Sequence, residues 1–275
     1  MILIVTSKRD GHVQPVARHL AAAGAEWVRI NIEDFATNVE LDVEPATGSG
    51  WLRVKDSAKE FRLDEVEAVW YRKPDPVHVL HFEMNPPARE YVEAEFTEVI
   101  LGLYALLKDA YWINNPFATR IAHRKLLQLK TAVDAGFIVP PTLVTNRRER
   151  ALDFAAACGG DLAIKSLGAI SITDDAAGEV LQYGVFTRRI ATADLTLLSD
   201  KIAHMPTLYQ QFIVKDSEIR ITCVGDRVFA CRIEARPGDL TSDDYRFDTP
   251  NLQHAAIECP ELTSGIQAYM RAFGL

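Results

Sequence analysis

Along the first third of the chain the apolar positions switch between two spacings. Ile2 to Thr6 is a short β-prone run, Val13 to Ala23 repeats its apolar residues at helical spacing, and Trp27 to Ile32 is β-prone again, which predicts a βαβ opening. Turn-rich stretches at Pro45 to Gly50 and Asp56 to Lys59 separate short β-prone pieces, and Ala68 to Tyr71 predicts another strand that ends in Arg72, Lys73 and Pro74. Pro87 to Lys108 has a helical pattern with Glu90, Glu93 and Glu95 near its start, where the helix dipole favours anions.

Tyr111 to Ile113 predicts a brief strand that Asn114, Asn115 and Pro116 break, so a domain of residues 1–113 and a second of 114–275 are expected. In the second, Ala118 to Asp134 predicts one helix stopped by Gly136. Pro140 and Pro141 lead into a strand at Thr142 to Thr145 and a helix at Arg147 to Cys158. After Gly159 and Gly160 a buried strand, Leu162 to Ile164, carries Lys165 at its end, and a hairpin-like stretch runs through Gly178 and Gly184.

The clearest alternation lies between Glu218 and Glu234. A three-residue loop of Gly225, Asp226 and Arg227 would pair the flanking strands about Asp226. That register collects Ile219, Ile221, Cys223, Phe229, Cys231 and Ile233 on a buried face, and Glu218, Arg220, Thr222, Arg232 and Glu234 on a polar one. Cys223 and Cys231 are then expected in the core, as small buried hydrophobes.

Composition narrows the class. With 275 residues, 48% hydrophobic and 25% charged, the chain can bury a sizeable core as one large domain or two moderate ones. A net charge of -8 argues against general attraction to nucleic acid, which needs a surplus of Lys and Arg on one face. Cys158, Cys223, Cys231 and Cys259 include no CxxC pair, so neither a disulfide framework nor a zinc knuckle is indicated. No apolar run approaches the roughly 20 residues that cross a bilayer. The start lacks the basic and long apolar regions of a signal peptide, and a cytoplasmic location is expected.

Candidate chemistry gathers in the second domain. Lys125 in its first helix and Lys165 at a strand end suit contact with phosphate oxygens, because each is a compact charge on a flexible stem; singly, either also fits a lysine that snorkels into solvent. Glu218, Arg220, Arg232 and Glu234 would allow phosphate and metal binding, or simply a solvated face with cross-strand ion pairs. Asp239 to Asp248, with Asp243, Asp244, Arg246 and Asp248, alone passes for an exposed loop.

In combination and order, these pieces resemble the ATP-grasp superfamily from about Asn114 to Leu275. Lys125 through Gly136, Pro140 and Thr142 is similar to that family's entry helix, and Ala163-Ile164-Lys165 to the strand bearing its second nucleotide-contacting lysine. Tyr209-Gln210-Gln211-Phe212-Ile213 resembles the strand lining the adenine pocket, followed by Lys215 and Glu218-Ile219-Arg220. Val69 to Pro74 and the preceding residues resemble the leading domain of the peptide-crosslinking ligases that make microviridins and other graspetides. Asp244-Tyr245-Arg246 resembles an Asp-Trp-Arg element of those enzymes.

The resemblance implies an α/β ATP-grasp fold with an N-terminal βαβ pre-ATP-grasp domain, ATP and Mg²⁺ as cofactors, a precursor peptide with a leader segment as substrate, and a homodimer. By the same resemblance Lys125, Lys165, Gln210, Gln211, Phe212, Ile213, Lys215 and Glu218 would hold the nucleotide. Arg220, Arg232 and Arg246 would be catalytic, and Arg72 and Asp244 would meet the substrate. Gln211 stands where the family usually has Glu, and the stretch after Lys165 is poor in glycine. The family's late metal-binding Asp, Glu and Asn are expected beyond Leu275, so the C-terminal part is expected to be truncated and the chain alone a poor catalyst. The rival readings are an amino-acid or protein-tail ligase on the same nucleotide site, and a non-catalytic peptide- or nucleotide-binding partner. A Rossmann dehydrogenase is a third, although no GxGxxG follows the first strand.

Overall fold

The computed structural model describes residues 1–79, 82–168, 186–236 and 238–275, and the backbone of 171–174 and 181–184. The chain forms two compact units, Met1–Thr119 with Leu275, and Arg120–Gly274.

Unit 1 begins with the expected βαβ: β1 (Ile2–Thr6), α1 (Val13–Ala22) and β2 (Trp27–Asn31), then the single turn α2 (Phe35–Asn38). The short β-prone pieces become an antiparallel meander, β3 (Val39–Glu44), β4 (Ser49–Val54) and β5 (Lys59–Arg62). Gly50 is required there, since a Cβ on it would stand 2.4 Å from the Asp42 carbonyl oxygen on the neighbouring strand. Next come β6 (Ala68–Tyr71), α3 (Pro86–Leu106) and β7 (Tyr111–Ile113). The Asn85 side chain accepts from the Ala88 N–H at 2.9 Å, and Pro86 occupies a first-turn position that needs no donor, so α3 starts there.

The main sheet of unit 1 has order β2-β1-β6-β7 and is parallel throughout. Its central strands are apolar on both sides, as a covered parallel sheet requires. Leu3, Val5 and Val69 meet Leu52, Val54 and Phe61 of the meander and Ile100, Leu103 and Tyr104 of α3 in one core. The strand order places β2 and β6 on either side of β1, and the loop after β1 and Arg72 after β6 therefore share the carboxyl edge of the sheet.

The boundary between the units falls inside α4 (Pro116–Ala122). The single helix predicted from Ala118 to Asp134 is in fact two: α5 (Lys125–Asp134) starts anew after Arg124, which is extended at φ -74° and ψ 105°. Gln128 stabilises the break by donating its side-chain amide to the Ala122 carbonyl at 2.6 Å, a group left without a helical partner.

Unit 2 continues with β8 (Thr142–Thr145), α6 (Arg148–Ala157), β9 (Leu162–Lys165), the antiparallel pair β10 (Ser171–Asp174) and β11 (Leu181–Gly184), and β12 (Arg188–Ile190). Gly178 lies outside the described residues. Then follow α7 (Thr192–Leu197), α8 (Ser199–Ile202), β13 (Thr207–Gln211), β14 (Ser217–Val224), β15 (Arg227–Glu234), β16 (His254–Ile257) and α9 (Thr263–Phe273). Strands order as β12-β9-β13-β8, all antiparallel. One face is apolar: Leu162, Ile164 and Tyr209 pack on Ala151 and Ala155 of α6, Leu195 of α7 and Ile202 of α8. By the two-residue period, Ala163, Lys165, Gln210 and Thr142 stand on the other face.

The sheet β14-β15-β16 corrects the sequence reading. The turn between β14 and β15 is two residues, Gly225 and Asp226, because Val224 pairs directly with Arg227, and Gly225 takes the left-handed φ of +56° that such a turn favours. One residue fewer in the loop slides β15 by one position and turns its faces over. Ile219 therefore faces Arg232, and Arg220 faces Cys231. Ile219 and Phe229 are exposed, and Cys223 and Cys231 are only half-buried and on opposite faces. The expected segregation into a core face and a polar face does not exist.

Candidate functional site

A cavity of about 850 Å³ opens on the free face of the β12-β9-β13-β8 sheet, within unit 2. Lys165, Ala163 and Gln210 form its floor, the α4–α5 break contributes His123, Lys125 and Gln128, and β14 contributes Glu218 and Arg220. The segment Asp243 to Arg246 and the residues Phe186 and Thr187 complete the wall.

Lys165 is the most confined cation. Its Nζ donates to Gln210 Oε1 at 2.8 Å, Gln210 Nε2 donates to Thr142 Oγ1 at 2.8 Å, and the Thr142 hydroxyl donates to the Pro140 carbonyl at 2.7 Å. Burial, followed by the nearby charges of Lys215 and Lys125, holds the Lys165 ammonium below the usual lysine range. Lys125 donates to Gln128 Oε1 at 3.3 Å. Lys215 bridges Glu218, at 3.0 Å, and the Asp243 carbonyl, at 3.0 Å.

The far wall is fixed by charge pairing. Asp244, 4% exposed, accepts both Nε (2.8 Å) and a terminal nitrogen of Arg246, and also the Thr187 N–H at 3.0 Å. Burial pushes the Asp244 carboxyl up, but these hydrogen bonds more than offset it and leave the group below the ordinary carboxylate range. The same fork raises Arg246, whose guanidinium lies 5.3 Å from the Phe186 ring centroid. Arg220 donates to the Tyr245 hydroxyl at 3.0 Å, so two arginines are held ready on one wall.

Lys125, Lys165, Lys215, Arg220 and Arg246 face the cavity against three carboxylates, Glu218, Asp243 and Asp244. A positive cavity in a chain of net charge -8 is a concentrated anion site. Its size and its uncompensated cations fit a polyphosphate. The carboxylates offer no ready metal site, for Glu218 and Asp244 are each held to a cation, and Asp243 accepts the Arg189 N–H. Among the described residues no group of three or more His, Cys, Asp or Glu is placed to hold a metal ion.

The fold brings Lys125, Lys165, Gln210, Gln211, Phe212, Ile213, Lys215, Glu218, Arg220, Asp244 and Arg246 to this one cavity. It does not bring Arg232, which the shifted hairpin register turns to the opposite face from Arg220 and which pairs with Glu234 at 3.4 Å. Arg72 belongs to unit 1. There its Nε lies 3.8 Å from the buried Asp10, which also accepts from the Thr6 hydroxyl (2.9 Å) and the His12 N–H (3.1 Å) and contacts His12 Nδ1 (3.0 Å). Burial raises the Asp10 carboxyl, and the His12 backbone, Thr6, His12 and Arg72 together bring it below its ordinary value. His123, Gln128, Phe186 and Thr187 line the cavity without having been singled out in sequence. Of these, only Gln128, three residues after Lys125 on one helix face, had a readable signal.

Comparison with known proteins shows what these features resemble. Residues 1–120 match the model of the MvdD pre-ATP grasp domain. The whole chain superposes on the Chryseobacterium gregarium RiPP-associated ATP-grasp ligase, solved with ADP and a leader and core peptide. The TM-score is 0.88 and the identity 26%, over 100% of this chain and 82% of that one. The chain has the ATP-grasp fold. It also matches the Microcystis aeruginosa MRC macrocyclase MdnC, solved with the precursor peptide MdnA, at TM-score 0.84 and 27% identity over 100% of this chain and 83% of that one. MdnB of the same organism matches at 0.78 and 24%, with the same coverage, which shows the shared fold. No curated protein matches the sequence. Among proteins of that fold the chain resembles the graspetide maturases, with the pre-ATP-grasp domain leading. No helix among the described residues is long and apolar enough to cross a membrane.

Proposed function

We propose that this ATP-grasp protein is a ligase that activates side-chain carboxylates of a ribosomal precursor peptide and closes intramolecular ester or amide crosslinks. The observation that carries the proposal is the cation-rich cavity on the unit 2 sheet, in a chain whose relatives at 26% and 27% identity were solved with precursor peptides. In this reading a carboxylate oxygen of the peptide attacks the terminal phosphorus of ATP, ADP leaves, and an acyl phosphate forms. A hydroxyl or amine of the same peptide then attacks the acyl carbon and phosphate leaves, so the peptide loses one water per crosslink.

This chain's residues supply position and charge. Lys125, Lys165, Arg220 and Arg246 neutralise the oxygens of the transferred phosphoryl group, since such transfer depends on cations fixed where charge accumulates. Asp244 keeps the Arg246 fork in place, Lys215 and Glu218 secure the wall, and Gln211, Phe212 and Ile213 border the base. Arg72, at the carboxyl edge of the unit 1 sheet, is assigned to the peptide. Magnesium is expected to accompany ATP, with no ligand assigned among the present residues. A homodimer in the cytoplasm completes the proposal.

Mass spectrometry of an acidic candidate precursor peptide containing Thr, Ser and Lys, after incubation with ATP, Mg²⁺ and the protein, tests it. Loss of water in steps that match the Thr, Ser or Lys content is the expected result. An unmodified peptide in the presence of demonstrable ATP binding would set peptide crosslinking aside.

A further inference from the structure

The Pro140–Thr142–Gln210–Lys165 relay fixes the direction of every hydrogen bond in it. The Pro140 carbonyl can only accept, so the Thr142 hydroxyl must donate its one proton there, at 2.7 Å. Thr142 Oγ1 then has only lone pairs to offer the Gln210 side chain at 2.8 Å. Gln210 must therefore turn its NH₂ to Thr142, and its carbonyl oxygen is left facing Lys165 Nζ at 2.8 Å. The amide orientation is set from the far end, by a backbone carbonyl that has no alternative role.

Sheet geometry makes the arrangement rigid. Gln210 sits directly opposite Thr142 across the β13–β8 pair, and Lys165 is opposite Leu208, two residues before Gln210 on the same face. Gln210 is buried, and both ends of its amide are engaged. Its neighbour Gln211 begins on the other face of the strand, so the two glutamines, equivalent by sequence as base contacts, have different surroundings.

We propose that Gln210 is a positioning residue that holds the ammonium of Lys165 toward the phosphates of the bound nucleotide, and that it does not read the base. The inference rests on the proposed assignment of the cavity to ATP. A neutral acceptor is what the position needs. Lys165 is crowded by Lys215 and Lys125, so the acceptor must orient its ammonium, and a carboxylate would go further and neutralise the charge that the phosphates are to meet. Gln210→Glu would also face Thr142 with an acceptor in place of a donor, forcing the hydroxyl to abandon Pro140.

The test measures ATP and GTP affinity of the full chain by calorimetry, with wild type, Gln210→Met, Lys165→Met and the double variant. The expected result is that Gln210→Met weakens ATP and GTP by the same factor, about tenfold. Adding it to Lys165→Met should cost little more, because both remove one interaction. A changed ATP-to-GTP preference, or full additivity of the two substitutions, overturns the proposal. Should Gln210→Met fail to fold, Thr142→Val serves instead: a smaller weakening common to both nucleotides supports the relay, and unchanged affinity or a shift in base preference refutes it. Absence of ATP binding by the wild type would overturn the cavity assignment itself, which separates that failure from failure of the Gln210 inference.

Discussion

Asp10 in unit 1 and Lys165 in unit 2 both stand just after or at the end of a sheet strand with their charge drawn away from water, yet their neighbours are of opposite kinds. Asp10 meets donors and one distant cation: Thr6, two atoms of His12, and Arg72. Lys165 meets one neutral acceptor and two further lysines, whose charges outweigh those of the Glu218 and Asp244 carboxylates. A buried charge is expensive unless it is paired and hydrogen-bonded. Asp10 is satisfied by its own fold, whereas Lys165 is left short of negative charge. On the proposed reading, the difference distinguishes a group that serves the structure from one that meets a ligand.

Substitution at the two positions should break along that line. Lys165→Met is expected to lower kcat/KM for ATP-dependent peptide dehydration by roughly 10²- to 10³-fold, the scale of losing one preorganised electrostatic contact, with little change in the denaturation midpoint. Asp10→Ala should do the reverse. It strands the Thr6 hydroxyl and the His12 N–H and is expected to cost about 2 kcal/mol of stability, read by urea denaturation, with ATP affinity within about twofold of wild type. Equal loss of ATP affinity in both variants would erase the distinction.

Arg220 and Arg232 sharpen the comparison inside unit 2, because they lie one position apart in cross-strand register and so on opposite faces of one sheet. Arg220→Ala, which empties a position on the cavity wall, is expected to slow the reaction by about tenfold or more. Arg232→Ala removes an exposed pair with Glu234 and should change stability by less than about 0.5 kcal/mol and activity hardly at all. Comparable losses of activity would return Arg232 to the catalytic set.

These contrasts also show what a sequence can and cannot carry. Strands such as β1, β6 and β9 were legible because an apolar run of the right length ends in turn or charged residues, and Lys165 stood out by closing such a run. The helix break between α4 and α5 was hidden, since His123 and Arg124 are neither Gly nor Pro; a side chain, Gln128, stabilises it from the next helix. The β14–β15 register failed on one residue. Gly225 and Asp226 suit a two- or three-residue turn equally by type, and only the pairing of Val224 with Arg227 decides. The Gln210–Thr142 bond joins residues far apart in sequence through strand register, so the different surroundings of Gln210 and Gln211 could not be read from the motif that contains both.

The smallest effect is the titration of Lys165, and its sign is fixed by the direction of its shift. The folded, ligand-free protein holds this ammonium below its ordinary 10.5. Below the folded pKa the group is charged in both folded and unfolded chains, and the penalty of burial and of the neighbouring lysines is present in full. As pH rises from the folded pKa toward the ordinary value the unfolded chain binds more protons, so stability climbs, and beyond that the penalty has gone. The gain should be missing from Lys165→Met. Polyphosphate reverses the shift by supplying the absent negative charge. ATP binding should then take up protons between the folded pKa and the ordinary value, and ATP affinity should fall as pH rises through the folded pKa. Calorimetry in two buffers of different ionisation heat measures that uptake; its persistence at full size in Lys165→Met would assign the proton to another cation of the cavity and remove the contrast with Asp10.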